Sequence, residues 1–504
     1  MADPGGARRG RGLLIAGTTS DAGKSVVTTG LCRALARRGV FVAPFKAQNM
    51  SNNSMVCASP SGALAEIGRA QWVQALAARA LPEPAMNPVL LKPGTDRLSH
   101  VVLMGAPAGA VSASDWTTGR AHLAQTAYAA YEDLADRYDV ILAEGAGSPA
   151  EINLRAGDFV NMGLARHAGL PTIVVGDIDR GGVFAAMFGT LALLGAADQA
   201  LIAGFVVNKF RGEQALLAPG LERLEELTGR RVFGVLPWNP TLWLDSEDAL
   251  DLAGRRAPAG SPRRVAVVRL PRISNFTDVD ALGLEPGLDV VFATSPRDLA
   301  DADLVVLPGT RSTLADLAWL RARGLDGAVV EHVRRGRAVL GICGGFQMLG
   351  RTIADPDGVE DAAYVGRKPV AGLGLLDMTT VFAPEKTLAL PTGDALGVPV
   401  SGYEIHHGRV QVGSGARFLD GARDGLVFGT LWHGALEGDD FRRAFLAEAL
   451  DVPPSTVSFP AAREARLDRL GDLVEEYLDL DSLLELAHNG IRTPLPLLSA
   501  GGRT

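Results

Sequence analysis

Short, almost wholly apolar runs alternate with longer amphipathic patterns along the chain. Runs at residues 12–16, 40–44, 140–143, 172–175 and 204–207 predict one series of strands. Runs at 265–270, 289–293, 304–307, 338–342 and 426–430 predict a second. Strands that are apolar on both faces belong inside parallel sheets covered by helices on each side. Helix-spaced segments lie between them at 25–38, 64–80, 221–227, 313–323 and 440–450. Gly39 follows the first of these, where a helix-ending glycine is favoured. The alternation predicts an α/β protein with two doubly wound, mainly parallel-sheet domains.

The segment AGRRAPAGSPRR, 253–264, has no apolar residue beyond alanine and reads as a linker. The expected organisation is a domain at 1–253, a linker at 254–264, a second domain at 265–450 and a helical extension at 451–504. Amphipathic patterns at 462–478 and 481–488 supply that extension, and residues 1–10 and 495–504 are expected to be loose.

Composition narrows the function classes. The 504 residues, at about 150 per domain, allow two to four domains. Lys+Arg 49 against Asp+Glu 57 gives 49 − 57 = −8, a poor balance for a protein that neutralises nucleic-acid phosphates. The three cysteines, Cys32, Cys57 and Cys343, are too few for a disulfide framework and suit a reducing compartment. The apolar run after the basic N-terminus is only LLIAG, too short for a signal-peptide core, and no membrane-length apolar run follows. The expectation is a cytoplasmic enzyme of small molecules, without nucleic acid or membrane, in which oligomers remain open.

The first strand runs into Gly17-Thr18-Thr19-Ser20-Asp21-Ala22-Gly23-Lys24-Ser25 and then a helix. Glycines let backbone N–H groups approach phosphate oxygens, and the helix N-terminus adds its positive end. Lys24 can reach the β- and γ-phosphates of ATP, and the Ser25 hydroxyl can ligate Mg²⁺. Five residues rather than four separate Gly17 from Gly23.

In the second half, strand 338–342 meets Cys343-Gly344-Gly345 and a helical pattern. A nucleophile at such a turn is exposed to substrate, and the helix start favours thiolate. The Gly344 N–H can serve as one oxyanion donor. Gly309, in Pro308-Gly309-Thr310 at another strand end, can supply a second. His433, in GTLWHG, is the candidate base. Cys32 and Cys57 lack such context and read as structural.

The long phosphate loop resembles that of dethiobiotin synthetase and its relatives, which activate carboxylates with ATP. The resemblance implies that Lys46 offsets charge on a phosphate or acyl phosphate, that Glu144 of Glu144-Gly145-Ala146-Gly147 binds Mg²⁺, and that Asn208 contacts adenine. The second half resembles class I glutamine amidotransferases. Their triad carries Glu two residues after the His, yet position 435 is Ala and the nearest acid is Glu437. Glu404 and His406 either line the site or form a satisfied network.

Both halves in this order resemble the cobyric acid synthases, the glutamine-dependent ligases of cobalamin biosynthesis. The specific segments are 46–50 (KAQNM), 66–71 (EIGRAQ), 86–93 (MNPVLLKP), 146–154 (AGSPAEINL), 177–184 (DIDRGGVF), 208–212 (NKFRG), 274–278 (SNFTD) and 402–408 (GYEIHHG). The resemblance implies amidation of four peripheral carboxylates (b, d, e, g) of (adenosyl)cobyrinic acid a,c-diamide, with glutamine as nitrogen source and acyl phosphates as intermediates. Within that reading, 177–180 faces the reacting carboxylate or Mg²⁺, or forms a salt-bridged loop. A partition-type ATPase shares the phosphate loop but has no use for a Cys–His pair. A non-catalytic regulator fits the missing Glu but not the retained Cys and His.

Overall fold

The computed structural model describes residues 11–94, 98–112, 120–239 and 263–498. Two parallel sheets organise it. The first contains β1 (Gly12–Gly17), β2 (Val42–Phe45), β3 (Val140–Glu144), β4 (Thr172–Asp177), β5 (Ile202–Phe210) and β6 (Arg231–Pro237), in the order β6-β5-β4-β1-β3-β2. Every pairing in it is parallel. Chain order reverses beside β1, so the carboxyl ends of β1, β3 and β4 open a crevice, the position at which doubly wound sheets bind ligands. Helix α1 (Lys24–Arg37) leaves that crevice and buries Val27, Leu31, Cys32 and Leu35.

The second sheet contains β7 (Arg263–Val268), β8 (Leu288–Ala293), β9 (Leu304–Leu307), β10 (Ala338–Ile342), β11 (Ala416–Phe418), β12 (Gly421–Asp424) and β13 (Val427–Thr430). Its order is β8-β7-β9-β10-β13-β12-β11. The first five strands of that order run parallel, and β12 and β11 close the edge antiparallel. The strand β7 begins at Arg263, inside the stretch expected to be linker. The rest of 254–264, residues 1–10 and residues 499–504 lie outside the described residues. Of the end expected to be loose at 495–504, residues 496 and 498 are held instead: Pro496 O accepts from Arg230 (2.7 Å) and Leu498 N–H donates to Gln199 Oε1 (2.8 Å).

Residues 64–80 are not one helix. Leu64–Gly68 is a strand paired antiparallel with Ser54–Ala58, and only then does α2 (Arg69–Ala77) begin. The reason is tertiary. Glu66 is fully buried between Lys92 and Lys386, and an extended backbone presents it to both. Local helix propensity yields to such a contact.

Two smaller sheets carry no clear signal in the sequence. Gln48–Met50, Val89–Pro93, Leu98–Leu103 and Ala106–Ser112 form one. The long hairpin Met378–Ala389/Glu404–Val412 anchors the other, and the bulge between Phe382 and Thr387 in its first strand carries Lys386 across to the first domain. The C-terminal extension also returns to the first domain. Helix Phe459–Tyr477 packs along α1, where buried Arg33 bonds Glu464 (2.6 Å) and Asp468 (2.8 Å).

Candidate active sites

Gly23 shapes the phosphate loop. Its φ of +96° lies in the left-handed region, and a Cβ there would stand 2.0 Å from Asn208 Nδ2. Asn208 donates to Ala22 O (3.0 Å) and accepts from Lys209 N–H (2.8 Å), so its amide braces the loop from β5. Thr18 N–H donates to Val175 O (2.9 Å). Lys24 Nζ folds over the loop and donates to Thr19 O (2.9 Å), Ser20 O (3.1 Å) and Gly147 O (3.1 Å).

Glu144 ends β3 with none of its surface exposed. Its Oε1 accepts from Ser25 Oγ and Lys46 Nζ, both at 2.9 Å, and its Oε2 from Gln74 Nε2 at 2.6 Å. Burial alone would raise its pKa; the Lys46 ammonium and these hydrogen bonds outweigh that and hold it below the usual carboxylate range. Lys24, Ser25, Lys46 and Glu144 therefore meet at one place. Gln74, on α2, is a member that sequence reasoning missed.

The 177–180 segment forms ion pairs over the loop. Arg180 bonds Asp21 (2.6 Å) and Lys209 bonds Asp177 (2.8 Å).

The thiol site is built on strain. Cys343 sits between β10 and α3 (Gly344–Leu349) with φ 50° and ψ −109°, a conformation that L-residues rarely adopt. Gly345 permits it, because a Cβ there would lie 1.9 Å from Leu307 O on β9. His433, just past β13, is buried beside the Cys343 sulfur. Gly309 lies against the imidazole, since a Cβ on it would stand 2.8 Å from His433 Cε1. The same construction on Gly344 reaches Thr310 N at 3.2 Å, so the two candidate oxyanion segments adjoin.

The carboxylate that meets His433 is Asp278. Its Oδ2 lies 2.7 Å from His433 Nδ1, and its Oδ1 accepts from Gly434 N–H at 2.8 Å. Burial would lower the His433 pKa, but the Asp278 carboxylate and the Cys343 sulfur raise it to about 10. Glu437 instead bridges Arg69 (2.9 Å) and Arg463 (2.6 Å). Asp278 ends the SNFTD segment, but nothing local to that segment links it to His433.

His406 uses both ring nitrogens, toward Gly408 O (2.9 Å) and Glu404 Oε2 (3.3 Å). Cys32 and Cys57 are buried and free, and burial pushes both thiols up, Cys57 to about 12. The described residues hold no cluster of three or more His, Cys, Asp or Glu side chains placed for a metal, and no helix among them is long and apolar enough to cross a membrane.

A nucleotide-type phosphate loop in one parallel sheet and a thiol elbow in the other define a glutamine amidotransferase ligase. The family comparisons agree by domain. Residues 13–251 match the CobQ/CobB/MinD/ParA nucleotide binding domain, and residues 264–441 match the CobB/CobQ-like glutamine amidotransferase domain. A curated cobyric acid synthase of Mycolicibacterium gilvum is 73% identical over 494 residues, covering 97% of this chain and 99% of that one. One from Mycobacterium tuberculosis is 71% identical over 491 residues, again covering 97% and 99%. A solved glutamine amidotransferase is 22% identical with a TM-score of 0.29, covering 37% of this chain and 98% of that one. The chain belongs to the cobyric acid synthase family.

Proposed function

We propose that this enzyme amidates the b, d, e and g carboxylates of (adenosyl)cobyrinic acid a,c-diamide, giving (adenosyl)cobyric acid, at the expense of ATP and glutamine. Residues 1–253 carry the ligase chemistry and 265–450 the glutaminase, while the C-terminal helix Phe459–Tyr477 braces the first domain. The enzyme works in the cytoplasm on small molecules.

The observation that carries this reading is the buried line Cys343–His433–Asp278 in the same chain as the Lys24–Ser25–Glu144–Lys46 cluster. The Cys343 thiolate attacks the glutamine side-chain carbonyl carbon while Gly344 and Gly309 face the developing oxyanion. His433, held as imidazolium by Asp278, gives its proton to the departing nitrogen and ammonia leaves. Water then hydrolyses the γ-glutamyl thioester to glutamate and frees the thiol.

In the other domain, residues Gly17–Ser25 hold the ATP phosphates. A substrate carboxylate oxygen attacks the γ-phosphorus and ADP departs, with Lys24 matching the charge that develops. Ammonia attacks the acyl phosphate, the amide forms and inorganic phosphate leaves; Lys46 faces that charge. Ser25 Oγ and Glu144 Oε1, two hard oxygens 2.9 Å apart, fit Mg²⁺, which takes few protein ligands and keeps water and phosphate for the rest. Bound there, the ion supplies charge neutralisation to the phosphates. Asn208 acts by bracing the loop.

Mass spectrometry of cobyrinic acid a,c-diamide incubated with enzyme, ATP, MgCl₂ and glutamine tests the reading. Four successive acid-to-amide conversions are expected. A corrinoid of unchanged mass, with ATP still consumed, contradicts it.

A further inference from the structure

The Cys343 thiol opens into a cavity of about 330 Å³ whose walls come from both domains. That is at the small end of ligand pockets. The second domain contributes Cys343, Arg311 and Glu360, and the hairpin residue Lys386. The first contributes Asn52 and Lys92.

Two of these groups lack partners. Arg311 is largely buried, yet its guanidinium makes no hydrogen bond or ion pair with any described residue. Asn52 Oδ1 is buried and accepts no hydrogen bond from any described residue. A desolvated guanidinium calls for a carboxylate, and a stranded amide oxygen calls for an N–H donor. Glu360 adds a carboxyl group to the same cavity, its pKa pushed up to about 7 by burial. Both its oxygens accept backbone N–H groups at the start of helix Thr313–Ala322, from Thr313 (2.6 Å) and Leu314 (2.7 Å), which fixes the carboxylate in place.

The wall contributed by the first domain is pinned. Glu66 is fully buried and pairs with Lys92 of its own domain and with Lys386 of the other. Ser54 N–H donates to Asn275 Oδ1 across the same boundary at 2.9 Å. Glu66 thus gives both Lys92 and Lys386 a carboxylate partner, whereas the Arg311 guanidinium has none among the described residues.

We propose that this cavity is a two-domain subsite for the α-amino-acid end of glutamine, with Arg311 binding its carboxylate and Asn52 Oδ1 and Glu360 receiving its ammonium. The side-chain amide then points toward Cys343. The ligase domain thereby completes the glutaminase site. This rests on the thiol chemistry proposed above.

The test compares glutamine with 4-aminobutanamide, which is glutamine without its α-carboxylate. Glutamate or 4-aminobutyrate release is followed for the full chain and for its R311Q, R311K and N52L variants. R311Q should raise KM for glutamine by a factor on the order of 10², the loss of one charged hydrogen-bonded pair. It should leave kcat near the parent value and remove most of the preference for glutamine over 4-aminobutanamide. R311K should restore part of that preference. N52L, a change in the other domain, should raise KM for glutamine by roughly tenfold.

Unchanged KM for glutamine in R311Q, or a preference that survives it, overturns the proposal. So does an effect of R311Q on KM for the corrinoid in place of glutamine. Loss of kcat for both amides in every variant also overturns it, since that marks a structural role. If C343A still hydrolyses glutamine, the underlying thiol reading is what has failed.

Discussion

Replacing Asp278 by asparagine changes one oxygen to nitrogen and removes one charge. Both carboxylate oxygens now accept N–H donors, Oδ2 from His433 Nδ1 at 2.7 Å and Oδ1 from Gly434 N at 2.8 Å. An amide has one acceptor and one donor end, so one contact must become donor against donor. If the oxygen stays on Gly434, the NH₂ faces Nδ1 and forces the tautomer protonated at Nε2. That imidazole cannot take the thiol proton. If the oxygen turns to His433, the Gly434 N–H is stranded in a buried site.

Losing the charged hydrogen bond is worth about 1.5–3 kcal/mol, and a stranded buried donor about 1–3 kcal/mol. The two costs are alternatives, so a loss of roughly 1–3 kcal/mol corresponds to a fall of about 10–10² in kcat/KM for glutamine, at about 1.36 kcal/mol per factor of ten. The assay is glutamate release under steady state, with amidation from ammonium chloride as the internal reference. A D278N enzyme that hydrolyses glutamine at the parent rate would refute the triad and leave a Cys–His dyad.

Two other outcomes are expected. Glu144→Gln keeps the bond to Ser25 possible but removes the charge that a divalent cation prefers, so half-maximal amidation should need more MgCl₂ while glutamine hydrolysis continues. The variant must first be shown to be folded, because buried Lys46 loses its counter-charge at a cost of about 3 kcal/mol. An unchanged magnesium titration removes Glu144 from the metal site. The raised pKa of His433 also makes a stability claim. Its contribution is complete below the ordinary value of 6.5 and is lost as pH rises through about 10. Urea denaturation of parent and D278N should therefore converge as pH climbs over that range; a gap independent of pH removes the ion pair.

The core strands were legible because they are buried on both faces, which leaves an apolar run with few polar interruptions. β9 and β10 coincide with the runs at 304–307 and 338–342. The elbow residues were legible because a turn motif carries its own chemistry in consecutive positions. Asp278 was not: it precedes His433 by 155 positions, and only the folded sheet brings the two together. The strand Leu64–Gly68 was misread as helix for a related cause. Its conformation answers to Lys92 and to Lys386, the latter 320 positions away, and no window-based periodicity contains that contact. The C-terminal helices were read as elements, but their seat on α1 depends on pairs such as Arg33–Asp468.

The central claim, two catalytic centres whose chemistry is linked by ammonia, is tested most directly by offering each nitrogen source to two variants. Amide formation on the corrinoid is measured with glutamine and with ammonium chloride at alkaline pH, for the parent, C343A and K24A. C343A cannot form the thioester, so glutamine-dependent amidation should fall by several orders of magnitude while ammonia-dependent amidation continues. K24A lacks the ammonium that matches charge in phosphoryl transfer, so it should lose amidation from both sources. If folded C343A loses both activities equally, or K24A keeps the ammonia-dependent one, the two-site account is contradicted.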